Sequence, residues 1–279
     1  MTVAGFVRII RPANAIVAGI AAIIAYLIAT GVLIPESGLL FFIVLFVTGA
    51  GNTINDYFDA EIDAVNRPDR PIPSGAVQKS AARGFATTLF LAGVLISLFT
   101  NILCITIAVF NSLLLVAYAA RLKRLPLIGN LAVSYLSASM FLFGGALNGW
   151  SGLVRVLPIA AITFFAMLSR ELIKAAEDVE GDRQGGAGTL PVRIGVLSTV
   201  RLASISAVFA VIASIAPAIW WGEFYLAGIA VVDIVILAAV VKVITCTTPE
   251  CVRKSRASTL LKAVFFVSLV VFTLSAVFL

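Results

Sequence analysis

Histidine is missing altogether from the 279 residues, and only 12% of them are charged. Without His there can be no His-ligated metal site, no His general base and no Ser-His triad. Cysteine is scarce, with three in the chain. Cys104 lies in an apolar run, and Cys246 and Cys251 have neither the number nor the spacing of a zinc site, so they read as free thiols. The shortage of charge accompanies 61% apolar residues and a mean hydropathy of +1.10. A soluble domain is about half apolar and about a quarter charged. A soluble globular protein and a disordered chain are both excluded, leaving a polytopic membrane protein whose spans need about 20 residues each. The charge excess, 20 Lys+Arg against 14 Asp+Glu for a net +6, belongs in such a protein to cytoplasmic loops and does not imply nucleic acid.

Nine apolar segments are present, at 13–33, 38–58, 84–100, 102–119, 128–148, 153–174, 200–220, 223–243 and 259–278. The amino end carries Arg8 and Arg11 ahead of a long apolar stretch and has no small-residue cleavage site of the kind a removable signal needs. Connections alternate between two sides. One side receives the amino end and the loops near 59–83, 120–127, 170–201 and 244–258, and it holds or borders every basic residue except Arg155. By the positive-inside rule that side is cytoplasmic, and nine spans put the carboxyl end outside. Two of the inside connections are long, polar and rich in Pro and Gly, beginning at Asn55 and at Lys174. Loops of that size are more often functional than structural. Close-set small residues, Gly49-Ala50-Gly51 and Gly144-Gly145-Ala146, suit close approach of membrane helices.

The two long loops resemble each other. Asp59-x-x-x-Asp63 is followed by Pro73 and Gly75, and Asp178-x-x-x-Asp182 by Pro191 and Gly195. Four spans separate them, and an even number preserves orientation, so the repeat is parallel. The expected architecture is an all-α polytopic bundle of nine transmembrane helices in a 4+4+1 arrangement, with a central cavity open to the cytoplasmic side. It forms a single domain over 1–279, with pseudo-repeats at about 1–127 and 128–258 and a ninth helix at 259–278.

Asn55, Asp59 and Asp63 stand at i, i+4 and i+8. If the second helix runs on through them they share one face over about 12 Å. Asp178 and Asp182 are likewise one turn apart, with Glu171 and Lys174 just before them. Stacked like charges at a membrane rim need a positive partner. Oxygen ligands without His or Cys suit Mg²⁺, Mn²⁺ or Ca²⁺. Basic residues are interleaved: Arg67 and Arg70 after the first pair, Arg121, Lys123 and Arg124 in the third inside loop, Lys174 and Arg183 around the second pair. Carboxylates mixed with Arg and Lys point to a metal-bound polyanion such as a diphosphate. Tyr118 adjoins this basic loop and is a candidate to face the site. Arg8, Arg253, Lys254 and Arg256 read as topology or headgroup residues, so alanine at Arg253 is expected to leave catalysis near wild type. Glu61, Asp69, Glu180 and Glu250 read as solvated. Asp233, a carboxylate in the middle of the eighth segment, is a functional candidate by default, though a neighbouring Ser could satisfy it.

At these residues the sequence resembles the UbiA superfamily of intramembrane prenyltransferases. Its signature N-x-x-x-D-x-x-x-D is met by Asn55, Asp59 and Asp63, and its second, D-x-x-x-D, by Asp178 and Asp182. NRPDRPIPSG looks like the family's loop after the first motif, YAARLKR like its third cytoplasmic loop, and RPAN, Arg11 to Asn14, like the start of its first helix. The resemblance covers essentially the whole chain. One departure is Ala175-Ala176 after Lys174, where the family often carries a further acidic or polar residue. Within the family, NDYFDAEID and EDVEGD look most like the members that build archaeal ether lipids, and chlorophyll synthases share related strings.

The resemblance implies Mg²⁺, two ions, held by Asn55, Asp59 and Asp63 and by Asp178 and Asp182. It implies a prenyl diphosphate and a lipidic acceptor as substrates. Arg67, Lys123 and Lys174 would touch the diphosphate, with Arg70 and Arg121 as second choices. Arg11, Arg121 and Arg124 would suit an acceptor phosphate, and Asn14 belongs to the same substrate-binding set. The implied reaction is geranylgeranyl transfer to the sn-2 hydroxyl of geranylgeranylglyceryl phosphate in a cell membrane. No obligate protein partner is evident. Two alternatives remain open: prenylation of an aromatic acceptor such as a hydroxybenzoate, a quinone precursor or a chlorophyllide, and a cation-coupled secondary transporter built of parallel repeats.

Overall fold

A computed structural model describes residues 1–278, which are helical almost throughout. The elements are α1 (Val3–Ile9), α2 (Pro12–Thr30), α3 (Ser37–Phe58), α4 (Ala60–Asn66), α5 (Lys79–Ser97), α6 (Ile102–Ala120), a 3-10 turn at Leu122–Arg124, α7 (Ile128–Ala146), α8 (Gly149–Gln184), α9 (Leu190–Ile194), α10 (Val196–Ser214), α11 (Ala218–Val241), α12 (Pro249–Ser255) and α13 (Ala257–Phe278). Among the described residues nine helices are long and apolar enough to cross a membrane: α2, α3, α5, α6, α7, α8, α10, α11 and the helix ending at Phe278. Each overlaps one of the nine apolar segments. Large apolar side chains such as Leu113, Ile219 and Phe224 are exposed, as expected where lipid rather than water is the neighbour.

Two stretches differ from the sequence expectation, each for a local reason. The sixth segment was expected to end near 174, but α8 continues unbroken for 36 residues to Gln184. Its polar tail has no Pro to stop it before Pro191. The stretch from Asn55 is likewise mostly helix, α3 continuing into α4. The eighth segment begins where expected because Gly222, at φ 61° and ψ −153°, breaks α11 there.

The chain forms two compact units, residues 1–121 with 140–154 and residues 122–139 with 155–278. In the first, α3 is the hub, packed by α2, α5 and α6. Its buried side chains include Leu40, Ile43, Val44 and Val47, which meet Ala18, Ala22 and Tyr26 of α2 and Cys104 and Ala108 of α6. The small residues act as anticipated. A Cβ on Gly51 would lie 2.8 Å from a methyl of Leu115, and one on Gly144 would collide with the carbonyl oxygen of Ala22. Asn101 caps α6, its Oδ1 accepting from the N–H groups of Leu103 and Cys104, while its Nδ2 donates to the carbonyls of Ala146 and Leu147 at 2.7 and 3.0 Å.

In the second unit α11 packs on α10 and α13. Ser206 donates to the Phe165 carbonyl at 2.8 Å, joining α10 to α8. Asp233 accepts from Ser214 Oγ at 2.7 Å, and Tyr225 donates to the Ser214 carbonyl at 2.8 Å. One oxygen of the mid-span carboxylate thus has a Ser partner, while its Oδ1 is buried with no hydrogen-bond partner among the described residues. Cys246 and Cys251, read from sequence as free thiols, are joined in a disulfide with Cα atoms 5.6 Å apart. The turn after α11 and the Thr248 cap of α12 bring two residues five apart into bonding range, a closeness that ligand spacing does not reveal.

Candidate active site

The first acidic motif straddles the junction of α3 and α4. Asp59 lies off helical geometry at φ −88° and ψ 1°, yet the hydrogen-bond ladder continues through it. Asp59 N–H donates to the Asn55 carbonyl at 3.0 Å, Asp63 N–H to Asp59 at 2.8 Å and Arg67 N–H to Asp63 at 2.8 Å. The three motif side chains are therefore stacked at helical spacing, as the sequence implied. Asn55 Nδ2 donates to Asp59 Oδ2 at 2.9 Å.

Asp63 is buried and turned to Arg70, whose guanidinium lies 2.6 Å from Asp63 Oδ2 and 3.2 Å from Asp56 Oδ1. Arg11 also reaches Asp56 Oδ1, at 2.6 Å. Of the expected phosphate-binding residues, Arg70 and Arg11 are thus already held by carboxylates, whereas Arg67, Asn14 and Arg121 are exposed and Tyr118 is half-buried. Asp56 was not anticipated as a site residue. Its only sequence signal is that it lies seven residues, two helical turns, before Asp63 and so on the same face.

The loop after α4 is a compact set of turns. Ser74 N–H donates to the Arg70 carbonyl and Val77 N–H to Pro71. Gly75 has φ 76°, a conformation that favours glycine. Val77 is buried with Ile9 and Ala82, and Thr2 N–H donates to the Ala76 carbonyl at 3.0 Å, tying the loop to α1. At its rim Arg8 pairs with Asp69 and Lys79 with Glu61 in exposed bridges, which contribute little.

The second motif lies on the long tail of α8. Lys174 and Asp178 are exposed and Asp182 is half-buried. Their positions, at i, i+4 and i+8, repeat the order of Asn55, Asp59 and Asp63 with Lys in place of Asn. The chain turns back after Gln184, with Gly186 at φ 67° and Ala187 N–H donating to the Asp182 carbonyl at 2.9 Å. This return lets Thr189 Oγ1 donate to Asp182 Oδ2 at 2.8 Å. One turn before Lys174, Arg170 pairs with Glu171, and Asn130 Nδ2 donates to the Glu171 carbonyl at 3.3 Å. Lys123 is half-buried, and Arg124 and Arg183 are exposed. Arg253 and Ser258 were also missed as neighbours of this motif. Arg253 Nε donates to the Glu177 carbonyl at 2.9 Å, its NH2 donates to Glu180 at 3.2 Å, and Ser258 donates to the Glu177 carboxylate at 2.8 Å. Arg253 is therefore a structural clasp as well as a surface charge, and Glu180 is ion-paired.

Among the described residues no group of three or more acidic, His or Cys side chains is gathered to hold a metal by itself. Each motif offers a partial set of oxygens one turn apart. That suits Mg²⁺, which keeps several waters and bridges one or two carboxylates to substrate phosphates rather than filling an all-protein cage.

The chain is similar to proteins of one kind throughout its length. The UbiA prenyltransferase family matches residues 16–276. A digeranylgeranylglyceryl phosphate synthase from Methanoregula boonei is 60% identical over 279 residues, 100% of both chains. Its counterpart from Methanoculleus marisnigri is 55% identical over 99% of this chain and 100% of its own. A solved structure concerned with digeranylgeranylglyceryl phosphate synthase in membranes has a TM-score of 0.86 at 37% identity, covering 99% of this chain and 98% of the other. A UbiA homologue from Archaeoglobus fulgidus bound to GPP and Mg²⁺ shares the fold, with a TM-score of 0.61 at 16% identity over 94% of this chain and 99% of that one. With nine long apolar helices among the described residues, two D-x-x-x-D motifs at helix ends and this agreement from end to end, the chain belongs to the UbiA prenyltransferase family and is an intramembrane prenyltransferase.

Proposed function

We propose that this enzyme transfers a geranylgeranyl group from geranylgeranyl diphosphate to the sn-2 hydroxyl of geranylgeranylglyceryl phosphate. The observation that carries the reading is 60% identity over the full chain with a digeranylgeranylglyceryl phosphate synthase. Asn55, Asp59 and Asp63 would hold one Mg²⁺, and Asp178 and Asp182 a second. When bound, Mg²⁺ supplies neutralisation of the charge that builds on the departing diphosphate. Arg67, Lys123 and Lys174 bind the diphosphate oxygens, with Arg70 and Arg121 as second choices. Tyr118 offers an aromatic face to the allylic cation left as the C–O bond breaks. Apolar walls exclude the water that would trap it. Arg11, Arg121 and Arg124 receive the acceptor phosphate, with Asn14 nearby in sequence. The acceptor oxygen then forms the ether bond, and its proton passes to the released diphosphate. The 4+4+1 arrangement, with a cavity open to the cytoplasm, the amino end inside and the carboxyl end outside, is supported by the parallel repeat and by the near-complete sorting of Lys and Arg to one side.

The test is an assay of protein reconstituted in vesicles with geranylgeranyl diphosphate and, separately, geranylgeranylglyceryl phosphate, a hydroxybenzoate, a quinone precursor and a chlorophyllide. The ether product alone is expected. Alkylation of an aromatic acceptor without ether formation overturns the reading.

A further inference from the structure

Two buried carboxylates, Asp56 and Asp63, are 3% and 6% exposed and lie two turns apart on one helical face. One nitrogen of Arg70 touches both, at 3.2 and 2.6 Å. Arg11 completes the network on Asp56 at 2.6 Å. Two positive and two negative groups balance, as buried charges must. The arrangement is asymmetric. Asp63 has one cation and is a named ligand position of the motif proposed to hold metal, while Asp56 has two cations and fills a position between the motif's Asn55 and Asp59.

We propose that Asp56 is a positioning residue that holds Arg70 as the resident counter-cation of Asp63, to be exchanged for the metal. The proposal rests on the reading of Asp63 as a metal ligand. With Asp63 taken by a divalent ion, Arg70 keeps Asp56 and is not left buried without a partner. Asp56 thereby makes the release of Asp63 easy and keeps the Arg70 guanidinium in place when Asp63 changes partner. The metal and Arg70 compete for one carboxylate, so changes at Arg70 and at Asp56 act in opposite directions.

The test uses Mn²⁺ alone, with free Mn²⁺ counted by electron paramagnetic resonance against the full-length protein in lipid nanodiscs. Arg70→Gln removes the competitor and is expected to bind Mn²⁺ about tenfold tighter than wild type. Asp56→Asn keeps the shape but leaves Arg70 with Asp63 as its one anionic partner, so binding weakens. The gain from Arg70→Gln disappears when Asp63→Asn is added. Should a single variant fail to fold, Asp56→Asn/Arg70→Gln removes one charge of each sign and carries the expectation of Arg70→Gln. Binding that weakens or stays level in Arg70→Gln, that moves the same way in both single variants, or whose gain survives Asp63→Asn overturns the proposal. Those outcomes leave the prenyl-transfer reading standing, because that reading is tested by product formation.

Discussion

Arg253 reaches back 76 residues to the carbonyl of Glu177, the residue immediately before Asp178, with Nε 2.9 Å from the oxygen. The same side chain pairs with Glu180, and the helix carrying Ser258 adds a hydroxyl to the Glu177 carboxylate. The tail of α8 is thus held from α12 and α13 without using either motif carboxylate.

Arg253→Ala should loosen this tail. On these contacts the expected outcome changes from no effect to a modest one: thermal unfolding of the purified protein moves down by a few degrees, and KM for the prenyl diphosphate rises roughly threefold, equivalent to about 0.6 kcal/mol. Arg256→Ala is the control on the same segment. Equal KM values for Arg253→Ala and wild type would return Arg253 to a charge-sorting role.

Asp59→Ala and Asp182→Ala should each lower turnover by at least about a hundredfold, the scale on which removal of charge stabilisation is felt. Size-exclusion profiles and unfolding midpoints should stay near wild type, since both side chains are partly exposed. Substantial turnover in either variant removes that carboxylate from the reaction.

A divalent ion should be required. Prenyl transfer is expected to vanish in excess chelator and to return with added Mg²⁺. Full activity in the chelator refutes the assignment of the two motifs as metal ligands.

Gly144→Val tests packing alone. A side chain there collides with the Ala22 carbonyl, and overpacking of this kind costs about 1–3 kcal/mol. The variant should unfold at lower temperature, while Gly38→Val, at a position with open space around it, should not.

Most of the helices were legible because lipid imposes a long, nearly unbroken apolar run on each span, and the motifs were legible because carboxylates one turn apart have few structural uses at a membrane rim. The missed features depend on partners distant in sequence. Asp56 looks like a polar neighbour of Asn55 until Arg11 and Arg70, 45 and 14 residues away, are seen to converge on it. The tail of α8 reads as loop in the sequence because its polarity hides the helix. The Cys246–Cys251 bond follows from how a turn folds back, which the spacing of two cysteines does not encode.

The 36 residues of α8 make a rod about 54 Å long, against a hydrocarbon layer of about 30 Å. Even when tilted, such a rod overshoots the oil by several turns. The end that bears Asp178 and Asp182 therefore stands among headgroups or in water, where a hydrophilic reagent, a soluble ion or a pyrophosphate can arrive by simple diffusion without first dissolving in fat.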